Sequence, residues 1–284
     1  MKLFIIGKNG QMGKDLYKDA KKGGYQIYSY GKKELDVTDH KKVRTEIEKI
    51  KPNIVINTAA LHATIENENN PEKLFNINSF AVKNLALICK EMNIKFVTYS
   101  SDYVFDGTKG SLYEEEDPQT PVQMFGISKH IGEVIAINYC PNSIVIRSCG
   151  IYGGKKGSRA KGNFVLNILK DAKNSKIIEV SSEQIVNPSY SKDISKATLE
   201  LLEKNPTGGI YHIVNSGFCS WAEFAQEIMN IKNLKVKITP VDRKGISGGI
   251  RRPIFSALKN TKAKKLGVDL RDWKPALKQY LETL

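Results

Sequence analysis

Four cysteines are scattered over 284 residues, at Cys89, Cys140, Cys149 and Cys219, and no two stand in a C-x-x-C pair. That argues against a zinc ribbon or a disulfide framework and leaves them as small core residues of a reducing compartment. Long apolar runs are also missing. None approaches the roughly 20 residues of a membrane span, and the opening Met1-Lys2-Leu3-Phe4-Ile5-Ile6-Gly7 breaks too early for a secretory leader. The expectation is a cytoplasmic protein without a membrane segment. Acidic residues are few, 30 against 44 lysines and arginines, a net charge of +14. Such an excess can mark a nucleic-acid surface. Here the lysines come in ones and twos (Lys21-Lys22, Lys32-Lys33, Lys155-Lys156, Lys264-Lys265), with no dense stripe and no interleaved stacking aromatics. The pattern argues against nucleic acid and suits small polyanionic ligands. With 40% apolar residues the chain can bury an ordinary core.

The first half alternates short β-rich runs with amphipathic stretches. Strands are expected at 3–6, 26–30, 54–57, 96–99 and 143–146, and helices at 11–22, 41–50, 71–92 and 127–138, with Pro71 suited to a first helical turn. Repeated β-α units of this kind predict an α/β fold, a doubly wound parallel sheet covered on both faces. Past Gly150 the rhythm loosens into a Gly/Lys-rich stretch at 153–162. Further elements are expected near 164–173 (helix), 177–180 (strand), 193–204 (helix), 210–214 (strand), 220–229 (helix) and 272–281 (helix). Ser220 followed by Glu223 reads as a capping box. This organisation predicts a dinucleotide-binding domain over 1–150, its sheet completed by about 184–214, and a smaller C-terminal α/β domain from 151–183 and 215–284.

One turn carries specific chemistry. The first strand ends in Gly7-Lys8-Asn9-Gly10-Gln11-Met12-Gly13 and runs straight into a helix. Glycines allow a sharp turn and close approach of a diphosphate, and the first helical N–H groups present the positive end of a dipole. A βα turn without any ligand would use the same glycines, but the position after an apolar first strand favours a nucleotide. The G-x-x-G-x-x-G spacing resembles that of short-chain dehydrogenases. Where the second strand ends, an acidic residue would hold the ribose hydroxyls of NAD and a cation would suit a 2′-phosphate. Lys32-Lys33 therefore favours NADPH, with NADH left open, and Asp36 is expected near the adenine.

Further segments extend the likeness along the whole chain: Tyr99-Ser100-Ser101-Asp102-Tyr103-Val104-Phe105-Asp106-Gly107, Phe125-Gly126-Ile127-Ser128-Lys129-x-x-Gly132-Glu133, Gly209-Ile210-Tyr211-His212, Cys219-Ser220-Trp221-x-Glu223-Phe224-Ala225, Arg252-Pro253-x-x-Ser256-x-Leu258 and Asp272-Trp273-x-x-Ala276-Leu277. With these motifs the chain resembles the dTDP-4-dehydrorhamnose reductase family of extended short-chain dehydrogenases/reductases. The resemblance implies hydride transfer from a nicotinamide to the C4 ketone of a nucleotide-linked 4-keto-6-deoxy sugar, with a proton donor meeting the charge that grows on the ketone oxygen. In the family a Ser or Thr, a Tyr and a Lys do this. Ser101 matches the first and Lys129 the last, where it would hold the nicotinamide ribose. The resemblance places the dinucleotide against Gly7, Gly10, Gln11, Met12, Gly13, Lys32, Lys33, Asp36, Ala59, Ala60 and Lys129, and the sugar nucleotide against Ser101, Asp102, Tyr103, Asn163 and Arg252. It is compatible with a homodimer and implies no metal.

The chain departs from the family pattern where a ligand would lie. Phe125 stands at the tyrosine position and has no proton to give, a loss that typically costs about 10²–10⁴ in rate. The pocket segment after the third strand reads Ala59-Ala60-Leu61-His62-Ala63-Thr64-Ile65-Glu66-Asn67-Glu68. His62 could replace the missing acid or be an ordinary loop histidine. Arg147-Ser148-Cys149-Gly150 lacks the indole expected to stack on the sugar, and Glu183-Gln184-Ile185-Val186-Asn187-Pro188-Ser189-Tyr190 also deviates. Tyr103 and Tyr152 have packing roles in the family pattern, though either could reach the nicotinamide. Changes in several pocket segments favour diverged sugar specificity over a single introduced substitution. The alternative is a catalytically silent dinucleotide-binding paralog with a regulatory or assembly role. The acidic run Tyr113-Glu114-Glu115-Glu116-Asp117 is expected to be a solvated loop, its carboxylates being consecutive and not convergent.

Overall fold

The computed structural model describes residues 1–154 and 162–284, so most of the Gly/Lys-rich stretch, with Lys155-Lys156, lies outside the described residues. Five strands, β1 (Lys2–Ile6), β2 (Gln26–Tyr30), β3 (Ile54–Asn57), β4 (Lys95–Ser101) and β5 (Ile144–Ser148), are joined by a sixth, β6 (Gly209–His212), in one sheet. Its order is β2-β1-β3-β4-β5-β6 and every pairing is parallel. The order reverses between β1 and β3, so the loops leaving their carboxyl ends diverge and open a crevice.

Alternation along β1 shows why the sheet needs two covers. Leu3 and Ile5 pack with Leu16 and Ile194 on one face, while Phe4 and Ile6 pack with Val43, Ile47 and Leu85 on the other. All are buried, and each such side chain contributes about 1.5–3 kcal/mol on leaving water. The expected α/β doubly wound architecture is the one observed. A separate apolar cluster gathers Tyr152, Val165, Phe224, Trp273, Leu277 and Tyr280. It is flanked by a parallel pair, Ile177–Ser181 with Lys237–Val241. The helix Trp221–Ile231 starts at a capping box in which Ser220 and Glu223 bond reciprocally, as the sequence predicts.

Three local differences bear on the crevice. The helix expected at 71–92 is built of Glu72–Phe75 and Ala81–Glu91 joined through a π-helical turn, Asn76–Phe80. The helix expected from 127 begins at Met124, because the Gln123 side chain accepts the Phe125 N–H at 3.0 Å and starts it early. A short helix, Ile65–Asn69, not expected from the sequence, is started by Thr64, whose hydroxyl accepts from Asn67 N. Among the described residues no helix is long and apolar enough to cross a membrane.

Candidate active site

The turn after β1 leaves no room for a side chain at Gly7 or Gly13. Gly7 has φ +89°, and a Cβ there would lie 2.6 Å from Thr58 Oγ1 and 3.0 Å from Ala59 N, so the turn is packed against the end of β3. A Cβ on Gly13 would strike the Gly7 carbonyl. Helix Gln11–Lys22 starts at Gly10 with no side-chain cap and no acidic residue in its first turn. Its first i to i−4 bond runs from Lys14 N to Gly10 O at 3.1 Å, so the amides of Gln11, Met12 and Gly13 precede the helix's own ladder. A dinucleotide diphosphate fits this cradle: its backbone comes close, its dipole is positive and no carboxylate competes.

Where β2 ends, the structure brings forward a residue that sequence reasoning passed over. Glu34 accepts from Gly31 N at 2.6 Å and from Lys8 Nζ at 2.7 Å, and the hydrogen bond from Lys8 is the main cause of its lowered pKa. A Cβ on Gly31 would collide with the Asn9 amide, so the two loops interlock. Lys32 is 73% exposed and 3.8 Å from Asp36, and Lys33 is exposed. Asp36 is engaged locally, accepting the Thr38 N–H at 3.0 Å and its hydroxyl at 2.8 Å. Burial opposes its ionisation, but these bonds and Lys32 hold its pKa below the usual value.

Ser101 closes β4. Its hydroxyl donates to Asp102 at 2.8 Å and accepts from Tyr103 N at 3.2 Å. Asp102 is buried and also accepts from Ser256 at 2.6 Å and Cys149 at 3.2 Å. Burial nevertheless raises its pKa. Lys129, one turn beyond Phe125 on helix Met124–Tyr139, is buried and donates to the Tyr99 carbonyl. Burial lowers its pKa to about 8, against the opposing pull of Glu133. Asn78, in the π-helical turn, ties this helix to the loop after β3: its amide donates to Ser128 Oγ and Leu61 O, and its oxygen accepts from Leu61 N, all at 3.0 Å. A π-turn in an otherwise regular helix marks such a residue, but nothing in the apolar spacing of 71–92 predicts it.

Phe125 is surrounded by the remaining candidates. Tyr103 meets its ring edge-on with centroids 5.8 Å apart, and the His62 ring lies 6.1 Å away on an exposed loop position. Arg252 donates to the Tyr103 hydroxyl at 2.6 Å although 149 positions separate them. Glu68 accepts from Met124 N through both oxygens, at 3.2 and 3.1 Å, holding the 62–69 segment against the start of the helix. From the other side the hairpin at 246–251 leans on Ile65, whose Cδ1 lies 3.0 Å from where a Gly249 Cβ would be. Asn163, expected at the substrate, is otherwise committed. Its oxygen accepts from Leu166 N, its amide donates to Gly153 O and Tyr280 OH, and it is buried. Its oxygen caps the helix Phe164–Asn174 and both amide hydrogens are used within the protein, so in this structure it serves the architecture around Tyr280. Tyr152 is likewise a core residue, stacked on Tyr190.

Behind the site lies a buried ion pair. Arg147 donates to Glu133 through Nε at 2.9 Å and Nη2 at 2.7 Å, and its Nη1 reaches Glu115 O at 3.2 Å. Burial works against the Glu133 carboxylate, yet Arg147 overrides it and lowers the pKa to about 2. His212, also buried, is pushed down to about 3 by burial and then by Arg147. The acidic run is not simply a solvated loop. Glu115 is buried and accepts from His212 N and Lys262 N, while Glu114, Glu116 and Asp117 pair with Lys259, Lys262 and Lys109. Among the described residues no cluster of His, Cys, Asp and Glu could hold a metal. A cavity of about 510 Å³ lined by Leu112, Phe218 and Lys265 lies apart from the crevice. Its Asn187, Asn215 and Asn260 side chains are bonded to the protein itself, so it is not a built polar site.

Known proteins share both the sequence and the shape. Residues 1–284 match the family described as RmlD substrate binding domain. The spore coat polysaccharide biosynthesis protein SpsK of Bacillus subtilis (strain 168) is 34% identical over 281 residues, covering 99% of this chain and 97% of that one. The dTDP-4-dehydrorhamnose reductase of Aggregatibacter actinomycetemcomitans is 32% identical over 293 residues, covering 98% and 97%. A crystal structure of dTDP-4-dehydrorhamnose reductase from Bacillus anthracis str. Ames, in complex with NADP, superposes with a TM-score of 0.93 at 29% identity, covering 100% and 99%. Matched from end to end, the chain belongs to the RmlD substrate binding domain family, that of the dTDP-4-dehydrorhamnose reductases.

Proposed function

We propose that the protein is an NAD(P)H-dependent reductase of a nucleotide-linked 4-keto-6-deoxy sugar, with a sugar preference of its own. The observation that carries this reading is spatial: the glycine turn at Gly7–Gly13, Ala59 and Ser101 stand at the carboxyl ends of β1, β3 and β4, beside the point where the strand order reverses between β1 and β3. The names of the relatives supply the substrate class, and the bound NADP of the Bacillus anthracis enzyme supports NADPH.

On this reading the diphosphate of the cofactor is held by the amides of Gln11, Met12 and Gly13 and by the glycine backbone. Ala59 and Ala60 pass beneath it, and Lys32 and Lys33 are free enough to meet a 2′-phosphate. Bound there, a reduced nicotinamide supplies the two electrons that the ketone needs. Lys129 holds the ribose side of the crevice. Ser101 is released from Asp102 to bond the ketone oxygen, and Tyr103 and Arg252 line the sugar. We also assign the dinucleotide half to 1–150 with about 184–214, and the sugar-nucleotide half to 151–183 and 215–284. The separate apolar cluster around Phe224 supports that division. A homodimer is proposed on the resemblance, and the cytoplasmic location expected from the sequence stands as a proposal.

Oxidation of NADPH followed at its absorbance, with a panel of dTDP-linked 4-keto-6-deoxy sugars, tests the reading. Turnover with at least one is expected, and silence with all would overturn it. Phe125 favours one competing reading, a dinucleotide-binding paralog without activity. Tight NADPH binding with no turnover, unrelieved by Phe125→Tyr, would establish that instead.

A further inference from the structure

A ketone reduced beside Phe125 still needs a proton on its oxygen, and the phenyl ring has none. Three side chains crowd that ring or the strand end beside it. The Ser101 hydroxyl rests with its hydrogen on the buried Asp102 carboxylate, and once turned to the ketone oxygen it bonds that oxygen without surrendering the proton, an aliphatic hydroxyl being a far weaker acid than a phenol. His62 occupies an exposed position on the loop after β3. Tyr103 is placed differently. Its ring meets Phe125 edge-on, and its backbone carbonyl is pressed against Gly126, where any Cβ would collide with it. The Tyr103 N–H is anchored on Ser101 Oγ. The phenol is thereby fixed between the two positions that flank the reacting ketone in the proposed reaction.

The hydrogen-bond sense of the Tyr103 hydroxyl decides what it can do. Arg252 Nη1 donates to its oxygen, and a guanidinium cannot accept. The phenol's own hydrogen is therefore not spent on Arg252, and among the described residues the hydroxyl donates to no protein acceptor. The guanidinium also lies 5.7 Å from the ring centroid, so one cation faces both the oxygen and the ring. We propose that Tyr103, with Arg252 as its charge partner, is the proton donor of this reductase, a tyrosine–cation pair displaced from the position where Phe125 stands.

The step balances as follows. As the carbonyl carbon receives hydride from the reduced dinucleotide, the C–O π pair moves onto oxygen. That oxygen takes the Tyr103 proton, and the O–H bond of the phenol breaks. The phenolate left behind is held by Arg252 and regains a proton from solvent. Burial keeps the resting phenol protonated, since it raises the pKa of Tyr103, while the nearby guanidinium acts in the opposite direction and favours the phenolate once formed. The inference rests on the reductase reading of the same cleft.

The test measures single-turnover NADPH oxidation with a dTDP-4-keto-6-deoxy sugar, in H₂O and D₂O, for the parent chain, Tyr103→Phe, His62→Gln, and Tyr103→Phe combined with Phe125→Tyr. Calorimetry of the sugar nucleotide on each protein without dinucleotide runs alongside. Tyr103→Phe is expected to slow the step by about 10²–10⁴, well beyond the roughly tenfold or less by which losing one hydrogen bond to the bound sugar lowers its affinity. The parent should show a solvent isotope effect. Adding Phe125→Tyr should restore the rate by about tenfold or more, which loss of a merely structural tyrosine would not allow. A Tyr103→Phe protein within about threefold of the parent, a larger loss in His62→Gln, or no restoration by Phe125→Tyr overturns the inference alone. A silent parent chain overturns the reductase reading, and this inference falls with it.

Discussion

Helix Gln11–Lys22 begins at a glycine, with neither a side-chain cap nor an acid in its first turn, whereas helix Met124–Tyr139 begins under two side chains, Gln123 and Glu68. Both helices open on the same crevice and both carry the partial positive charge of their first N–H groups. In the second helix the protein satisfies that charge itself, with a carboxylate that also pins the 62–69 segment. In the first it is left for an anion from outside. A family scaffold thus assigns one helix end to ligand binding and the other to its own architecture.

The contrast can be broken from the open end. Gly13→Val puts a side chain against the Gly7 carbonyl, and dinucleotide affinity should fall on the order of a thousandfold by calorimetry. A loss under about tenfold would mean that the amides there are not the diphosphate site. Deeper along the second helix, Glu133→Gln leaves Arg147 buried without its charge partner. About 3–5 kcal/mol of stability should be lost in urea unfolding at pH 7. The sign with pH follows from the depressed folded pKa of about 2 against the ordinary 4.5. The carboxylate stabilises the fold above about pH 4.5, and that contribution is lost as pH falls toward 2. The gap between parent and Glu133→Gln should therefore narrow in acid, and a constant gap would contradict the assignment.

Lys129 gives a smaller effect at the other end of the scale. With a folded pKa near 8 and an ordinary value of 10.5, the unfolded chain binds more proton between those limits. Stability should therefore rise from about pH 8 toward about pH 10.5. Chemical denaturation of Lys129→Met should lack that rise. The least change is expected from opening the closed helix end. Glu68→Gln should cost about 1 kcal/mol and loosen the 62–69 segment, read as faster amide exchange there. Unchanged exchange would show that the segment is held by other contacts.

The sheet was legible because buried parallel strands such as 3–6 and 54–57 are nearly continuous apolar runs, while the partly exposed edge strand 26–30 stood out through its alternation and the glycines on either side. The glycine turn was legible because its spacing sits directly between strand and helix. Lys237–Val241 was hidden by Pro240, which a strand paired on only one edge can accommodate. Asn78 was hidden because one extra residue in a helical turn leaves no periodic trace. Glu34 was passed over in favour of the adjacent lysines, since its tie to Lys8 spans two loops. The contacts between Tyr103 and Arg252 and between Glu115 and Lys262 join segments more than 140 positions apart. Only the folded chain brings such partners together, so the charge run at 113–117 read as solvated when its middle member is buried.

The interlock between the glycine turn and the end of β2 limits how this protein could be redesigned for another cofactor. Asn9 fills the space that a side chain on Gly31 would take, and Lys8 is tethered to Glu34. Grafting a foreign 31–34 loop to alter the choice between phosphorylated and unphosphorylated dinucleotides would unseat residues 8 and 9. The two loops must therefore be exchanged together, as one module.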